Sequence, residues 1–592
     1  MAKLAWILVT IPTGLILCSG CGRSDNSKPK AIDIIPEMAD AHGEQPTAVT
    51  VSLDRKKQEF IWDAEHASFE LENRFATRFV EAWRKRDLDQ LKSLFANPFT
   101  GSALSRDSPR KRTHSVLTET DWSLKNSTAV VASGSQLAAH LIALLDHFTQ
   151  VDRAKLRVLD IDRPTDSSGV WQTRLLLTAR GQSSTGEQLN LQSEHQVTCH
   201  FQEDRELDNG AVVSAWAIQR ILKSVCKQSL MEESTEAVGL AAIELTDNWS
   251  LAEGVAEDYR YQMAVEDYDR DGWLDIALAC FDGQFYLLRF VEGQRFQDVA
   301  ASLGIRTRDS PRTYLAGWID YDNDGFPDLI LGNRLYHNES GTRFVDVTAS
   351  SGLRFHRQSM GCQVADYDCD GRLDLYVQYQ RGFESLHQGE QQWVGDNQSG
   401  AENQLWRNEG DGRFRLVPQS RGQGGGLRHT LGACWFFLDQ DHYPDLYLAN
   451  DFGNNVLLRN RGDGTFEDLS QQSGTSDFAT SMAVAAGDLN NDGRSELYVA
   501  NMYSKMGRRI IAHVSDDDYP PGIFQQIQGS CAGNRLYIHG ADGAFHESSD
   551  VAGVNAVGWA YAPAMVDLDS DGWLDLYATT GFISFDRKKP DG

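Results

Sequence analysis

The chain has 592 residues and a net charge of -28, with 41% hydrophobic residues. That length predicts two or more domains and enough apolar surface for packed cores. So acidic a balance argues against nucleic-acid binding, which needs clustered Lys and Arg, and nine scattered cysteines without CxxCH or paired CxxC indicate neither haem attachment nor a zinc knuckle.

The N-terminus begins with Lys3, an apolar run over 4–17 and small residues before Cys21. The run is too short to span a membrane and reads as a secretory signal over 1–21. Ser19, Gly20 and Cys21 resemble a bacterial lipobox, which would place a lipid on Cys21 after cleavage at the cell envelope. Cys18 stands where Leu is usual, so ordinary cleavage and secretion is the alternative. Residues 22–58 are rich in Ser, Lys, Asp, Pro and Glu and predict a flexible tether.

Residues 59–225 predict a small α+β domain. Leu71, Phe75, Phe79 and Trp83 fall on one helix face, Leu88, Leu91 and Phe95 suggest a second short helix, and 137–148 a third. Strands follow at about 155–162, 171–180, 189–201 and 211–221. Leu189, Leu191, Ser193, His195, Val197, Cys199 and Phe201 alternate onto one face of the third. Helices opened by FVEAWRKRDLDQLKSLFA and followed by a curved antiparallel sheet resemble the SnoaL-like, nuclear-transport-factor-like cone. His195 reads as a core histidine, with a pocket acid or base as the lesser alternative.

Residues 226–592 repeat one acidic phrase six times: DYDRDGWLD, DYDNDGFPD, DYDCDGRLD, FLDQDHYPD, DLNNDGRSE and DLDSDGWLD. Oxygen donors at positions 1, 3, 5 and 9 with Gly at 6 make a cage for a hard cation, because calcium takes several oxygens at about 2.3–2.6 Å and Gly lets the backbone turn around it. The five intact copies assign as ligands Asp267, Asp269, Asp271 and Asp275; Asp320, Asp322, Asp324 and Asp328; Asp366, Asp368, Asp370 and Asp374; Asp488, Asn490, Asp492 and Glu496; and Asp567, Asp569, Asp571 and Asp575. In the fourth copy Phe437 replaces the first acid and His442 the Gly, leaving Asp439, Asp441 and Asp445 as a weak site.

Each loop lies between two strand-like runs, and a hairpin with an Asp-Gly or Gly-Thr turn usually follows. About four short strands per unit predict a mainly β chain of propeller blades. Insertions at 380–402 and 503–531 leave from the sheet end away from the cages, which marks that end as the expected binding face. Trp393, Trp406, Tyr503, Arg508, Arg509, His513 and Tyr519 are its candidate ligand contacts.

SMAVAAGDLNNDG, LYVANMYSKMGRRI and NRGDGTF resemble the FG-GAP/VCBS repeat of integrin α-type propellers, closest to the ASPIC/UnbV-associated group that includes cartilage acidic protein. The resemblance covers roughly 231–592. It implies a six- or seven-bladed propeller, calcium at the cages and an extracytoplasmic setting; it implies no reaction. LMEESTEAVGL (230–240) resembles a closing strand that could latch the last blade.

The expected role is a surface-anchored or secreted calcium-stabilised module that binds a protein or glycan. No G-x-S-x-G, H-E-x-x-H, phosphate loop or dinucleotide fingerprint occurs. The alternative is a lyase-like carbohydrate-active enzyme, for which Arg508, Arg509 and His513 form the one evident cluster. RGD at 461–463 occupies a hairpin slot and reads as a turn.

Overall fold

The computed structural model describes residues 53–581 apart from 106–108, 115, 124–128, 163–168, 202–210, 228–230, 246–260, 281, 310–314, 356–358 and 381–399. The expected signal over 1–21 with Cys21, nearly all of the tether over 22–58, and Trp393 lie outside the described residues.

The N-terminal region opens with α1 (Arg55–Glu70), whose cap is the Asp54 carboxylate accepting from the Lys57 amide at 2.8 Å. A π-helical turn (Leu71–Phe75) leads into α2 (Ala76–Arg84). A spacing of four residues overruns the 3.6 of an α-helix, and the wider π turn absorbs part of that drift. Leu71, Phe75, Phe79 and Trp83 are consequently all buried. After α3 (Leu88–Ser93) come β1 (Phe95–Leu104), β2 (Arg110–His114), β3 (Leu117–Ser123), β4 (Ala129–Ala132) and α4 (Gly134–Ile142). The long strands β5 (Gln150–Asp162), β6 (Val170–Gln182), β7 (Gln188–Phe201) and β8 (Ala211–Cys226) complete the region. The sheet order is β2-β3-β8-β7-β6-β5, with β1 parallel to β8 and antiparallel to β4. Strands β1 to β4 were not foreseen in the sequence. Phe95, expected on the second helix, begins β1 instead. The alternation along β7 puts Leu189, Leu191, Ser193, His195, Val197 and Cys199 inside.

Five antiparallel four-stranded units and one two-stranded unit follow. Their strands are β9–β12 (Tyr261–Glu266, Asp275–Cys280, Phe285–Val291, Arg295–Asp298), β13–β16 (Ala316–Ile319, Asp328–Leu331, Arg334–Asn338, Phe344–Asp346) and β17–β20 (Ser359–Ala365, Asp374–Tyr379, Gln404–Gly410, Arg413–Leu416). Then come β21–β24 (Thr430–Phe436, Asp445–Asn454, Val456–Asn460, Phe466–Asp468), β25–β28 (Phe478–Gly487, Glu496–Asn501, Arg535–His539, Phe545–Glu547) and β29–β30 (Ala560–Val566, Asp575–Thr580). Each acidic loop joins the first and second strands, and all six second strands start on its ninth residue. The chain is mainly β, as the repeats predict.

Successive units share cores. Tyr268, Ala277 and Phe285 of the first pack with Leu329, Leu331 and Phe344 of the second. On β9 itself, Met263 is 62% and Val265 45% exposed, so this face of the first unit is uncovered. Residues 231–239 reproduce the end of a unit. The Glu233 carboxylate accepts from the Thr235 amide at 2.7 Å, as Asp346 does from Thr348, Asp468 from Ser470 and Glu547 from Ser549. The segment seats on the first unit, where the Phe296 amide donates to the Val238 carbonyl at 2.9 Å, the counterpart of Phe344 to Leu303 at 2.7 Å.

Candidate metal centres

In each intact loop the first carboxylate folds the chain around itself. Asp267 accepts the amides of Asp271 and Gly272 at 3.1 and 2.9 Å, and Asp366, Asp488 and Asp567 do the same in their own loops. The Gly at position 6 has φ between 83° and 90° in all five, the left-handed region open to Gly. Position 4, which the motif leaves unassigned, is also left-handed at Arg270, Asn323, Cys369, Asn491 and Ser570, with φ of 55–59°. Its two asparagines were the available signal, since Asn tolerates that region. In the worn fourth loop His442 keeps φ 72° in the Gly position.

The ninth acid is the buried floor of the first five loops, whereas Asp575 in the sixth is half-buried. Asp275, Asp328, Asp374, Asp445 and Glu496 are each at most 1% exposed. Asp328, Asp374 and Asp445 each accept two amides: Asp374 takes Tyr367 at 3.2 Å and Asn408 at 2.7 Å, and Asp445 takes Leu438 and Asn460, both at 2.8 Å, while Asp275 takes Phe290 at 2.8 Å. Burial pushes Asp275 and Asp445 up to about 6, and Asp328 and Asp374 up to about 7. Neighbouring loop carboxylates add to the shift.

Among the described residues, carboxylate oxygens converge within 4.8 Å in four groups, Asp267/Asp269/Asp271, Asp320/Asp322/Asp324, Asp366/Asp368/Asp374 and Asp567/Asp569/Asp571. A fifth group adds an imidazole nitrogen, His337, to Asp322 and Asp328. Asp275 Oδ2, Asp320 Oδ1 and Asp368 Oδ1 are buried without a hydrogen-bond donor. An acceptor-only, desolvated oxygen facing like charges is what a bound cation would satisfy. The donor set therefore fits a hard divalent ion.

The expected ligand residues do not form one site. Trp406 is 6% exposed and packs in the core shared by the second and third units. Residues 503–531 form α5 (Lys505–Ile511) and α6 (Ile523–Cys531), and these cover the N-terminal region. Leu53 and Ile61 share one core with Ile510, Ile511, Val514, Tyr519, Ile523 and Ile527. Arg509 is buried and donates to both Glu65 oxygens, at 2.9 and 2.8 Å. His513 Nε2 lies 3.0 Å from the Ile161 carbonyl, with Phe60 edge-on to its ring. Lys57 pairs with Asp518 at 2.5 Å. Tyr503 and Arg508 stay together in a cation–π contact at 5.7 Å, and Arg508 is exposed. The insertion reads as surface in sequence because its apolar partners lie more than 400 positions upstream.

His195 is fully buried with the Trp216 indole N–H donating to its Nδ1 at 3.0 Å, and burial pushes it down to about 3. It is a neutral member of the core. The RGD stretch is a hairpin turn, with the Arg461 amide bonded to the Thr465 carbonyl and Asp463 accepting from Thr465.

Repeated antiparallel sheets, each opening on a carboxylate loop, define a blade-repeat protein with acidic cation-type loops. Residues 267–331, 320–377, 438–499 and 526–578 match the FG-GAP-like repeat, so the chain carries FG-GAP-like repeats over these stretches. It is similar to cartilage acidic protein 1 of Homo sapiens, 24% identical over 387 residues, covering 54% of this chain and 56% of that protein. Shorter matches reach the Xenopus tropicalis protein (27% over 172 residues, 23% of this chain and 26% of the relative) and the Mus musculus protein (29% over 133 residues, 20% of each). The matched stretches thus span between a fifth and about half of these relatives. No helix among the described residues is long and apolar enough to cross a membrane.

Proposed function

We propose that this chain is a calcium-stabilised β-propeller of six or seven blades, displayed outside the cytoplasm, that binds a protein or glycan partner. The observation that carries the calcium reading is the set of buried carboxylate oxygens left without donors at Asp275, Asp320 and Asp368. Positions 1, 3, 5 and 9 of the five intact loops would hold the ions. Calcium there supplies charge compensation, with no part in a reaction. The protein side supplies the rest: the first and ninth carboxylates are fixed by amides, so the loop is shaped before the ion arrives. The FG-GAP repeats and the similarity to a protein named for cartilage support an extracellular or surface setting, with the expected lipid on Cys21 as the route of attachment.

The partner face is proposed at the unit ends away from the loops, where 380–402 departs. The lyase-like alternative loses its cluster, because Arg509 is spent on Glu65 and His513 faces a backbone carbonyl. A thermal melt of the full chain tests the calcium reading. Chelator should lower the melting temperature by several degrees and added calcium should restore it. Superimposable curves would sink the reading.

A further inference from the structure

The third strand of each unit carries one position that faces the acidic loop, immediately before the residue whose amide caps the ninth acid. In the first unit it is Arg289, whose Nε lies 2.7 Å from Asp269 and whose Nη2 donates to Asp271 at 2.9 Å. In the third it is Arg407, donating from Nε to Asp368 and from Nη2 to Asp370, both at 2.6 Å. In the fourth it is Arg459, whose Nη2 lies 2.7 Å from Asp439 and 3.6 Å from Asp441. Loop positions 3 and 5 are met every time. The second unit has His337 at this position, 3.1 Å from Asp328 and 3.3 Å from Asp322, and the fifth has Ile538. The described part of the sixth unit ends before a third strand.

We propose that these arginines are built-in counter-ions to the loops, so that calcium dependence is unequal among the units. The inference rests on the calcium reading above. A guanidinium beside positions 3 and 5 relieves the repulsion that an ion-free loop would suffer. Once a divalent ion sits among the same carboxylates, the two cations repel. The arginine therefore stabilises the empty loop and weakens ion binding. The fourth loop is the limiting case. It has lost its first acid and its Gly, yet its ninth acid is still buried and His442 still holds the turn. Arg459 does there what an ion does elsewhere. Arg407 leaves Asp368 Oδ1 buried without a donor, so the third loop keeps an oxygen for the ion as well as its internal cations, Arg407 and, from within the loop, Arg372 on Asp370. The fifth loop has only Arg494, from within the loop itself, 3.5 Å from Asp492 with both groups well exposed. Such a pair contributes little. Calcium dependence is thus greatest where the third strand brings no guanidinium to positions 3 and 5, as in the loop at 488–496.

The test is calcium titration calorimetry and thermal melting of the full chain, with Arg407→Gln, Arg407→Lys, Ile538→Arg and Asp488→Asn compared with the unmodified protein. Arg407→Gln should tighten one site about tenfold and lower the melting temperature more in chelator than in calcium. Arg407→Lys should restore both values in part. Ile538→Arg should weaken one site and reduce the effect of chelator. Asp488→Asn should abolish one site whatever the counter-ion does. Unchanged or weaker binding by Arg407→Gln, or equal loss of stability with and without calcium, overturns the proposal. If the unmodified protein takes up no calcium, the calcium reading itself fails and takes the proposal with it. Uptake with Arg407→Gln unmoved removes the counter-ion alone.

Discussion

The ninth carboxylate is the residue on which the loops turn. Its burial raises the affinity for a proton because the charged form is desolvated. Asp328 and Asp374 sit at about 7 in the folded chain, against an ordinary 3.8. A group raised on folding favours the fold below its unfolded value and loses that contribution as pH rises through its folded value. In the ion-free protein the contribution of these acids is full below about pH 4 and lost by pH 7 to 8. On the proposed calcium reading, the ion would replace the proton there. The loss of melting temperature in chelator should accordingly be larger at pH 8 than at pH 5. An effect of the same size at both values would show that the ninth acids do not bear the cost of the empty loop. These carboxylates were legible in the sequence as donors at fixed spacing. Their burial was not, and neither was that of the Tyr after the first acid in the first three loops: Tyr268, Tyr321 and Tyr367 pack into cores shared with the next unit.

At the scale of elements, the insertion 503–531 shows where sequence reading stops. Its place after β26 was legible from the repeat, because a strand and a hairpin flank it. Its role was not. The apolar residues of α5 and α6 pack on one another and on two distant residues, Leu53 just before α1 and Ile61 within it. Arg509 and Glu65 close this contact as a buried ion pair with both side chains under 10% exposed. Removing one partner of such a pair leaves a desolvated charge and costs about 3–5 kcal/mol, whereas replacing both by apolar groups can be neutral. Arg509→Met should therefore release α1 from the insertion, and Arg509→Met with Glu65→Leu should restore much of the contact. Hydrogen exchange over 53–70 and 505–531 measures this. Equal protection in the single variant and the parent would mean that the apolar cluster alone holds the two regions together.

Across the molecule, an asparagine ties the second, third and fourth units each to the one before it. Asn408 Nδ2 donates to the Tyr321 carbonyl in the preceding loop at 2.7 Å and to Leu373 in its own at 3.1 Å. Asn338 joins Tyr268 with Pro327, and Asn460 joins Tyr367 with Pro444. The signal is present in the sequence as His-Asn, Arg-Asn and Arg-Asn before the hairpin turns of these three units. It passed unread because its meaning is a contact between units, and the repeat is read one unit at a time. Alanine at 408 would orphan two buried carbonyls, at a cost of about 1–3 kcal/mol. In an array held by nearest-neighbour contacts, that cost falls first on the two units sharing the joint. Asn408→Ala should lower the melting temperature and raise hydrogen exchange in the second and third units before the fifth. The sheet β5–β8 should keep its protection. A uniform rise across all units would instead mark the whole array as one cooperative body, in which no joint is weaker than the rest.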